Sequence, residues 1–353
     1  MKFEVLKCIP FSMLALMIGC GSEGSGEEAA PSSQAVFTTI WSGTFSRGAS
    51  DNAVVSRGTN LLDRFFVSSG NVIYSRYASS NWQPDVSLGA PSGTTLMRIA
   101  AANNGGRIDL FAVGSDNHIW HRSSDITTGA PTFTPWSADI YGNPTIGALS
   151  PLAVTSWAPG RLDVFWFTPN RAFGHAWGDG YTLGGVEAGS STVPYLLPLI
   201  SFDGVSDLTA VSDAPGRVHV FAAAGPNLEH HWYAADGGGW GATGTEHREL
   251  LPTNTPDGPL PQLMTSSVAA ASRGPNNMEL FIGALSGNNR DVYHIAFNNS
   301  WSTFSMGTRL VPRFERVTHT GTSPPLQVDS ALAWSDGGTR LDVFGANWQA
   351  LTR

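Results

Sequence analysis

One phrase recurs six times along this 353-residue chain: a Gly/Pro turn, a strand with an acid and a Phe, a second turn, then a strand rich in rings. The copies are LLDRFFVSSGNVIYSRY (61–77), RIDLFAVGSDNHIWHRS (107–123), RLDVFWFTPNRAFGHAW (161–177), RVHVFAAAGPNLEHHWY (217–233), MELFIGALSGNNRDVYHIA (278–296) and RLDVFGANWQALTR (340–353). Their anchor residues are Phe65, Phe111, Phe165, Phe221, Phe281 and Phe344, spaced by 46, 54, 56, 60 and 63 residues. A repeated supersecondary unit cannot bury its apolar face alone and must stack on copies of itself.

The alternation in Ile108-Asp109-Leu110 has period two, that of a half-buried strand. Gly105-Gly106, Pro159-Gly160, Pro215-Gly216 and Gly337-Gly338 supply tight turns ahead of the phrase. Asn71, Asn117, Asn170 and Asn227 sit in the next turn, where Asn tolerates a left-handed backbone. A short apolar strand precedes each phrase, as in MRIAAA (97–102) and LAVTSW (152–157), and Trp82, Trp136, Trp240 and Trp301 open strands that follow it. The unit is a four-stranded antiparallel meander of about 50 residues, which is a propeller blade. The last copy stops after its third strand, and residues 37–43, led by Phe37 and Trp41, resemble the missing fourth. The expected fold class is therefore all-β: a β-propeller of six blades, closed by joining the N- and C-terminal strands. Seven blades is the alternative, if a degenerate one lies in 178–206 or 298–329.

These phrases resemble the PLL-like, or tachylectin/fucose-lectin-like, propeller repeat, with a pattern near Gly-Arg-Leu-Glu-Val-Phe, then Leu-Trp-His-Arg-Trp, then a Gly-Trp-led strand. The match is clearest in GRIDLFAVGSDNHIWHR (106–122) and GRVHVFAAAGPNLEHHW (216–232) with GGGWGA (237–242). It runs from about residue 35 to the end. The resemblance implies pockets between blades that take fucose and related, sometimes O-methylated, sugars. The longer, variable spacings depart from the pattern, and the first and last copies lack the His-containing phrase.

The N-terminus reads as a targeting segment. Lys2 and Lys7 precede a short apolar run (9–18) that falls below the about 20 residues needed to span a bilayer. Met17-Ile18-Gly19-Cys20 is similar to the bacterial lipobox, which implies lipidation at Cys20 and cleavage before it. The alternative is an ordinary signal peptide cleaved elsewhere. Gly21, where inner-membrane lipoproteins usually carry Asp, points by that analogy to the outer membrane or cell surface. Residues 21–34 are mostly Gly, Ser, Glu, Ala and Pro without apolar periodicity, a flexible tether. The expected organisation is thus a lipoprotein signal at 1–19, a linker at 20–34 and the propeller at 35–353.

The chain has 2 Cys, Cys8 and Cys20, so the propeller must be held by its own core without disulfides. Without Lys2, Lys7 and Glu4, the 20 basic and 28 acidic residues fall to 18 and 27, a net of −9, and no Lys remains. That balance excludes nucleic acid as an expected partner and disfavours electrostatic docking on anionic lipid.

No cofactor, metal or catalytic residue is expected. The acids that stand out, Asp63, Asp109, Asp163, Glu279 and Asp342, share one repeated position (His219 in the fourth copy), which marks a structural device satisfying a turn or neighbouring strand. Glycoside hydrolysis would use two singular carboxylates; Asp203 with Asp207 or Asp257 is the pair available, and nothing marks it. The sialidase Asp-box is matched only loosely by Ser123-Ser124-Asp125 with Thr128-Gly129. His230 and His231 are adjacent, so on a strand they face opposite ways and cannot hold one metal together.

A carbohydrate site pairs an aromatic face with a few oriented donors and acceptors. The candidates are Tyr74, Arg76, Trp120, His121, Arg122, His175, Trp177, His230, Trp232, Tyr293 and His294, in or beside the third strands. For the aligned histidines the competing reading is a buried ring bonded to the next blade, and for the outer-strand tryptophans a wedge between blades. The leading expectation is a multivalent glycan-binding lipoprotein anchored to the membrane through Cys20. The alternatives are a scaffold for an envelope protein partner and a degenerate propeller glycosidase.

Overall fold

The computed structural model describes residues 38–41, 51–58, 61–78, 81–125, 131–138, 146, 150–167, 173–178, 183–188, 205–224, 227–235, 248–251, 254–255, 258–259, 264–286, 289–301, 303–306, 309–312, 315–316, 330–334, 340–345 and 348–352. All lie in the compact unit Ala35–Arg353. The regular structure among them is β-strand, in six antiparallel sheets that follow the repeat and two short two-stranded hairpins, 254–259 and 303–312. Blade 1 is Asn52–Gly58, Leu61–Ser68, Asn71–Ala78 and two short outer pieces, Asn81–Trp82 and Val86–Gly89. Blade 2 is Leu96–Asn103, Arg107–Gly114, Ile119–Asp125 and Thr132–Phe133. Blade 3 is Leu152–Ala158, Arg161–Phe167, Phe173–Gly178 and Leu183–Ala188. Blade 4 is Val205–Ala214, Arg217–Ala224, Asn227–Ala234 and Arg248–Leu251. Blade 5 is Met264–Gly274, Asn277–Ser286, Asn289–Asn298 and Glu315–Arg316.

The sixth sheet joins both ends of the chain. Ser330–Trp334, Arg340–Gly345 and Trp348–Thr352 are followed in the sheet by Thr38–Trp41, with Thr38 opposite Leu351. The innermost strand of each blade packs on that of the next, and Ser330–Trp334 touches the innermost strands of blades 5 and 1. Innermost strands of blades 1–5 line an axial cavity of about 320 Å³. Of the intervals reserved for a seventh blade, 189–204 and 317–329 lie outside the described residues, and the described parts belong to other elements. Residues 183–188 are the outer strand of blade 3, and 303–312 carry a two-stranded hairpin.

Each blade presents two apolar faces, as period two demands. Phe111 and Val113 of blade 2 meet Leu152, Val154 and Val164 of blade 3. Ile108, Leu110 and Ala112, on the opposite face, pack on Phe65 and Val67 of blade 1. In blades 1 to 4 the anchor Phe faces the following blade, as Phe165 does toward Val218 and Val220.

Two local expectations change. Of the four turn asparagines only Asn117 is left-handed (φ 63°) among the described residues; Ser69 and Gly70 take that role in blade 1, Asn71 and Asn227 open strands, and Asn170 lies outside the described residues. The outer strands are mostly not Trp-led. Trp82 is in one, but Trp136 follows Thr132–Phe133, Trp301 makes a lone bridge to Phe297, and Trp240 lies outside the described residues. The reason is packing: Trp301 is 8% exposed and sits edge-on to Phe221 and His230 of blade 4, filling the seam between blades.

Backbone ends are fastened across seams by buried side chains. Asp51 of blade 1 accepts the Ile99 N–H of blade 2 at 2.9 Å, and Asp207 of blade 4 accepts the Val268 N–H of blade 5 at 2.8 Å. Asn104 accepts the Gly160 N–H at 2.8 Å. Burial pushes the Asp51 carboxyl up to about 6 and that of Asp207 to about 8; repulsion from Asp51 adds to the latter, and Arg98 opposes both shifts. A carboxyl whose pKa is higher folded than unfolded holds its proton more tightly in the fold. Its contribution is therefore complete below the unfolded value of 3.8 and is lost as pH rises through about 6 and about 8. Asp207→Asn is expected to flatten the fall in melting temperature between acid and alkaline buffer. Parallel profiles for the variant and the parent would refute this.

Candidate functional site

The repeated acid organises a cluster in blades 1, 2, 3 and 5. In blade 3 the Arg161 guanidinium grips Asp163 with Nη2 (2.7 Å) and Nε (3.0 Å), and the other side of Asp163 Oδ1 meets His175 Nε2 at 3.0 Å. His175 lies flat on Phe165, with ring centroids 4.6 Å apart. Blade 2 repeats this with Arg107, Asp109 and His121 on Phe111, and blade 5 with Arg273, Glu279 and His294 on Phe281. In blade 1 Tyr74 replaces the His: its hydroxyl donates to Asp63 at 2.5 Å, Arg57 pairs with the same carboxylate, and the ring stacks on Phe65.

Blade 4 permutes the charges. His219 stands in the acid's place, and the carboxylate moves to Asp213 at the end of the innermost strand. Arg217 donates to Asp213 at 2.7 Å, His219 Nε2 lies 3.1 Å from it, and His219 Nδ1 faces His230 Nε2 at 2.9 Å. One of these two facing nitrogens must carry the hydrogen, so the pair shares it. Asp213 also accepts the Asn276 N–H of blade 5.

These clusters are buried: Asp63, Asp109 and Asp342 are fully so, and His121, His175, His230 and His294 nearly so. Burial alone would raise each carboxyl. Desolvation does dominate at Asp63, whose ring partner is a neutral phenol, and raises it. At Asp163 and Asp213 burial is outweighed by bonds from the histidine and arginine, and the carboxyls are held below the ordinary range. The acid's expected structural role, bracing a turn and a neighbouring strand, agrees with this geometry. The histidines are buried as the competing reading held, and they bond within their own blade: His121, His175 and His294 to the acid, and His230 to His219.

The candidate residues separate onto two faces. Tyr74, His121, His175, His230 and His294 share the face of the anchor Phe, and the residues two further on, Arg76, Trp177 and Trp232, share it too and remain partly exposed. Trp177 and Trp232 pack beside His175 and His230 at 5.0 and 4.9 Å. Trp120, Arg122 and Tyr293 point to the opposite face, toward the preceding blade. Tyr293 is buried in the seam with blade 4.

Sequence reasoning missed the arginines. Two sources feed the same acid: Gly-Arg after the turn (Arg107, Arg161, with Arg217 in the permuted blade 4) and Ser-Arg-Gly before it (Arg57, Arg273). Both patterns were present to be read. Their side-chain exposure decides which clusters a ligand can reach: 26% at Arg161, 27% at Arg217 and 20% at Arg273, against 7% at Arg57 and 12% at Arg107. Arg161 also lies over Trp157 and Trp177, at 5.3 and 6.0 Å from the ring centroids. Blades 3 and 4 thus combine an accessible guanidinium with a partly exposed Trp. Of the carboxylates weighed for glycoside chemistry, Asp207 is committed to backbone N–H groups, and Asp203 and Asp257 lie outside the described residues.

No family model matches the chain, and no curated protein matches it. Solved structures do. The lectin of Aleuria aurantia, described as a six-bladed β-propeller with its own fucose recognition mode, is 15% identical, with 86% of this chain and 94% of that one covered and a TM-score of 0.54. The fold is that of a six-bladed β-propeller. AofleA from Arthrobotrys oligospora superposes with a TM-score of 0.60 at 14% identity over 87% of this chain and 83% of that one. BP39L lectin from Burkholderia pseudomallei gives 0.50 at 19% over 84% and 78%.

Asp163→Ala would leave the buried His175 and the half-buried Arg161 without their shared acceptor. A loss of about 3 kcal/mol is expected, the low end for a broken buried pair because Arg161 keeps part of its side chain in water. Chemical denaturation measures it; a loss under about 1 kcal/mol would show that the cluster does not brace the blade.

Proposed function

We propose that this chain is a multivalent carbohydrate-binding protein that takes fucose-like or O-methylated sugars at the rims of its blades. The observation that carries this is the combination at blade 3: a partly exposed Arg161 over Trp157 and Trp177, in a propeller whose fold is shared with lectins solved in complex with fucosides. A sugar offers an apolar C–H face and a rim of hydroxyls. The indole supplies the platform, and the guanidinium, pre-oriented by Asp163, supplies donors in a fixed fork. Blade 4 offers the second such rim, with Arg217 and Trp232. Two weak sites on one rigid ring gain avidity on a surface that presents many sugars.

An array of fucosylated and O-methylated glycans tests this with the full chain. Selective binding is expected, with Trp177→Ala and Trp232→Ala each weakening it by about tenfold while the melting profile is kept, in line with loss of an aromatic contact. Silence across the array, or binding indifferent to both tryptophans, would overturn the proposal.

The same proposal places the protein outside the cell, held on the outer membrane or cell surface by lipid on Cys20 and a tether at 20–34. This rests on the sequence Met17-Ile18-Gly19-Cys20. Metabolic labelling with a fatty acid should mark the parent and not Cys20→Ala; equal labelling would refute the anchor.

A further inference from the structure

Blade 2 carries a cation that no other blade repeats. The positions equivalent to Arg122 are Ser75, Ala176, His231 and Ile295 in blades 1, 3, 4 and 5. Arg122 turns away from the Asp109 cluster into the seam with blade 1 and is 8% exposed. Its guanidinium lies 5.3 Å from the Phe133 ring and 5.0 Å from the Trp136 ring. Phe133 itself is wedged against Phe65 and Tyr74 of blade 1.

The hydrogen bonding of this cation is incomplete. Nη1 donates to the Leu88 carbonyl at 2.8 Å, while Nε is buried without an acceptor among the described residues. Trp136 Nε1, on the ring beside it, is a second buried donor without an acceptor. No carboxylate among the described residues pairs with Arg122. Asp116, the acid of the preceding turn, is taken by Thr94 Oγ1 (3.0 Å) and Trp120 Nε1 (3.1 Å). Desolvation lowers the Arg122 pKa with no acidic group offsetting it. The cluster arginines described in blades 1 to 5 each pair with an acid. A buried charge needs a counter-charge, and buried donors need acceptors. Leu88, Phe133 and Trp136 are each only partly buried, and Thr134 and Pro135 between the two rings are exposed, so the seam has an open lip.

We propose that the seam between blades 1 and 2 binds a sugar-borne oxyanion, a carboxylate or a sulfate ester, through Arg122 and Trp136. The oxygen atoms accept from Nε and from the indole N–H, and the sugar ring rests on the exposed edges of Phe133 and Trp136. This rests on the reading of the chain as a glycan binder but uses a different seam and a different ligand charge.

The test is titration of the full chain with glucuronate, glucose 6-sulfate and glucose, followed by calorimetry, with α-methyl fucoside titrated in parallel. One or both charged sugars should bind and glucose should not. Arg122→Gln should weaken charged-sugar binding by at least about tenfold, as expected for a lost charge-assisted bond. Trp136→Phe, which keeps the ring and removes the donor, should weaken it less. Fucoside binding should be unchanged in Arg122→Gln, so failure of this site and failure of the neutral-sugar reading are separable. Because removing an unpaired buried charge relieves a cost, Arg122→Gln should melt no lower than the parent. Glucose binding as well as glucuronate, no binding of either charged sugar, or a variant that melts lower and binds unchanged would each overturn the proposal.

Discussion

A carboxylate placed in the middle of a buried strand sets the terms for everything around it. Such a charge is tolerated only when its oxygens are fully engaged. In blades 1, 2, 3 and 5 the engagement comes from a ring on the next strand and an arginine at the turn. The ring then has to stand over the anchor Phe, which fixes the face that meets the following blade. The turn has to bring an arginine back over its own blade, which fixes where cations reach the rim. Packing, blade orientation and the accessible guanidinium are consequences of one residue.

Blade 4 shows that the requirement is electrostatic rather than a matter of residue identity. With His219 in the acid's position, the negative charge reappears at Asp213 and a second imidazole completes the chain to His230. The number of charges in the cluster is kept while their positions rotate. Likewise the arginine comes from either side of the hairpin turn, at Arg57 or at Arg161, and arrives at the same oxygen atoms.

Much of the architecture was legible because it is periodic. The returning phrase marks the second and third strands of every blade, and the unfinished last copy, read with Trp41, anticipates the sheet built from both ends. The acids were legible as structural because they repeat. What escaped was set by contacts across the seams. Grouping Trp120 with Trp177 and Trp232 overlooked that the first precedes its histidine by one position and the others follow theirs by two, which on a strand is the difference between opposite faces. The outer strands were misplaced because Trp301 and Trp136 pack between blades, and a residue chosen for a neighbour's surface carries no mark of its own strand. The rim arginines lay in plain Gly-Arg and Ser-Arg-Gly pairs, but only their distances to the acids give them meaning.

The pairing of strand Thr38–Trp41 with strand Trp348–Thr352 bears on how the molecule is made. Thr38 and Thr39 are synthesised roughly 310 residues ahead of their partners Leu351 and Ala350. The sixth sheet therefore cannot be completed on a growing chain, whatever the earlier sheets have done. Contacts of such sequence separation come late and slowly. Until then the open flanks of the first and last blades stay exposed as unpaired edges, the state in which β-rich chains associate with one another.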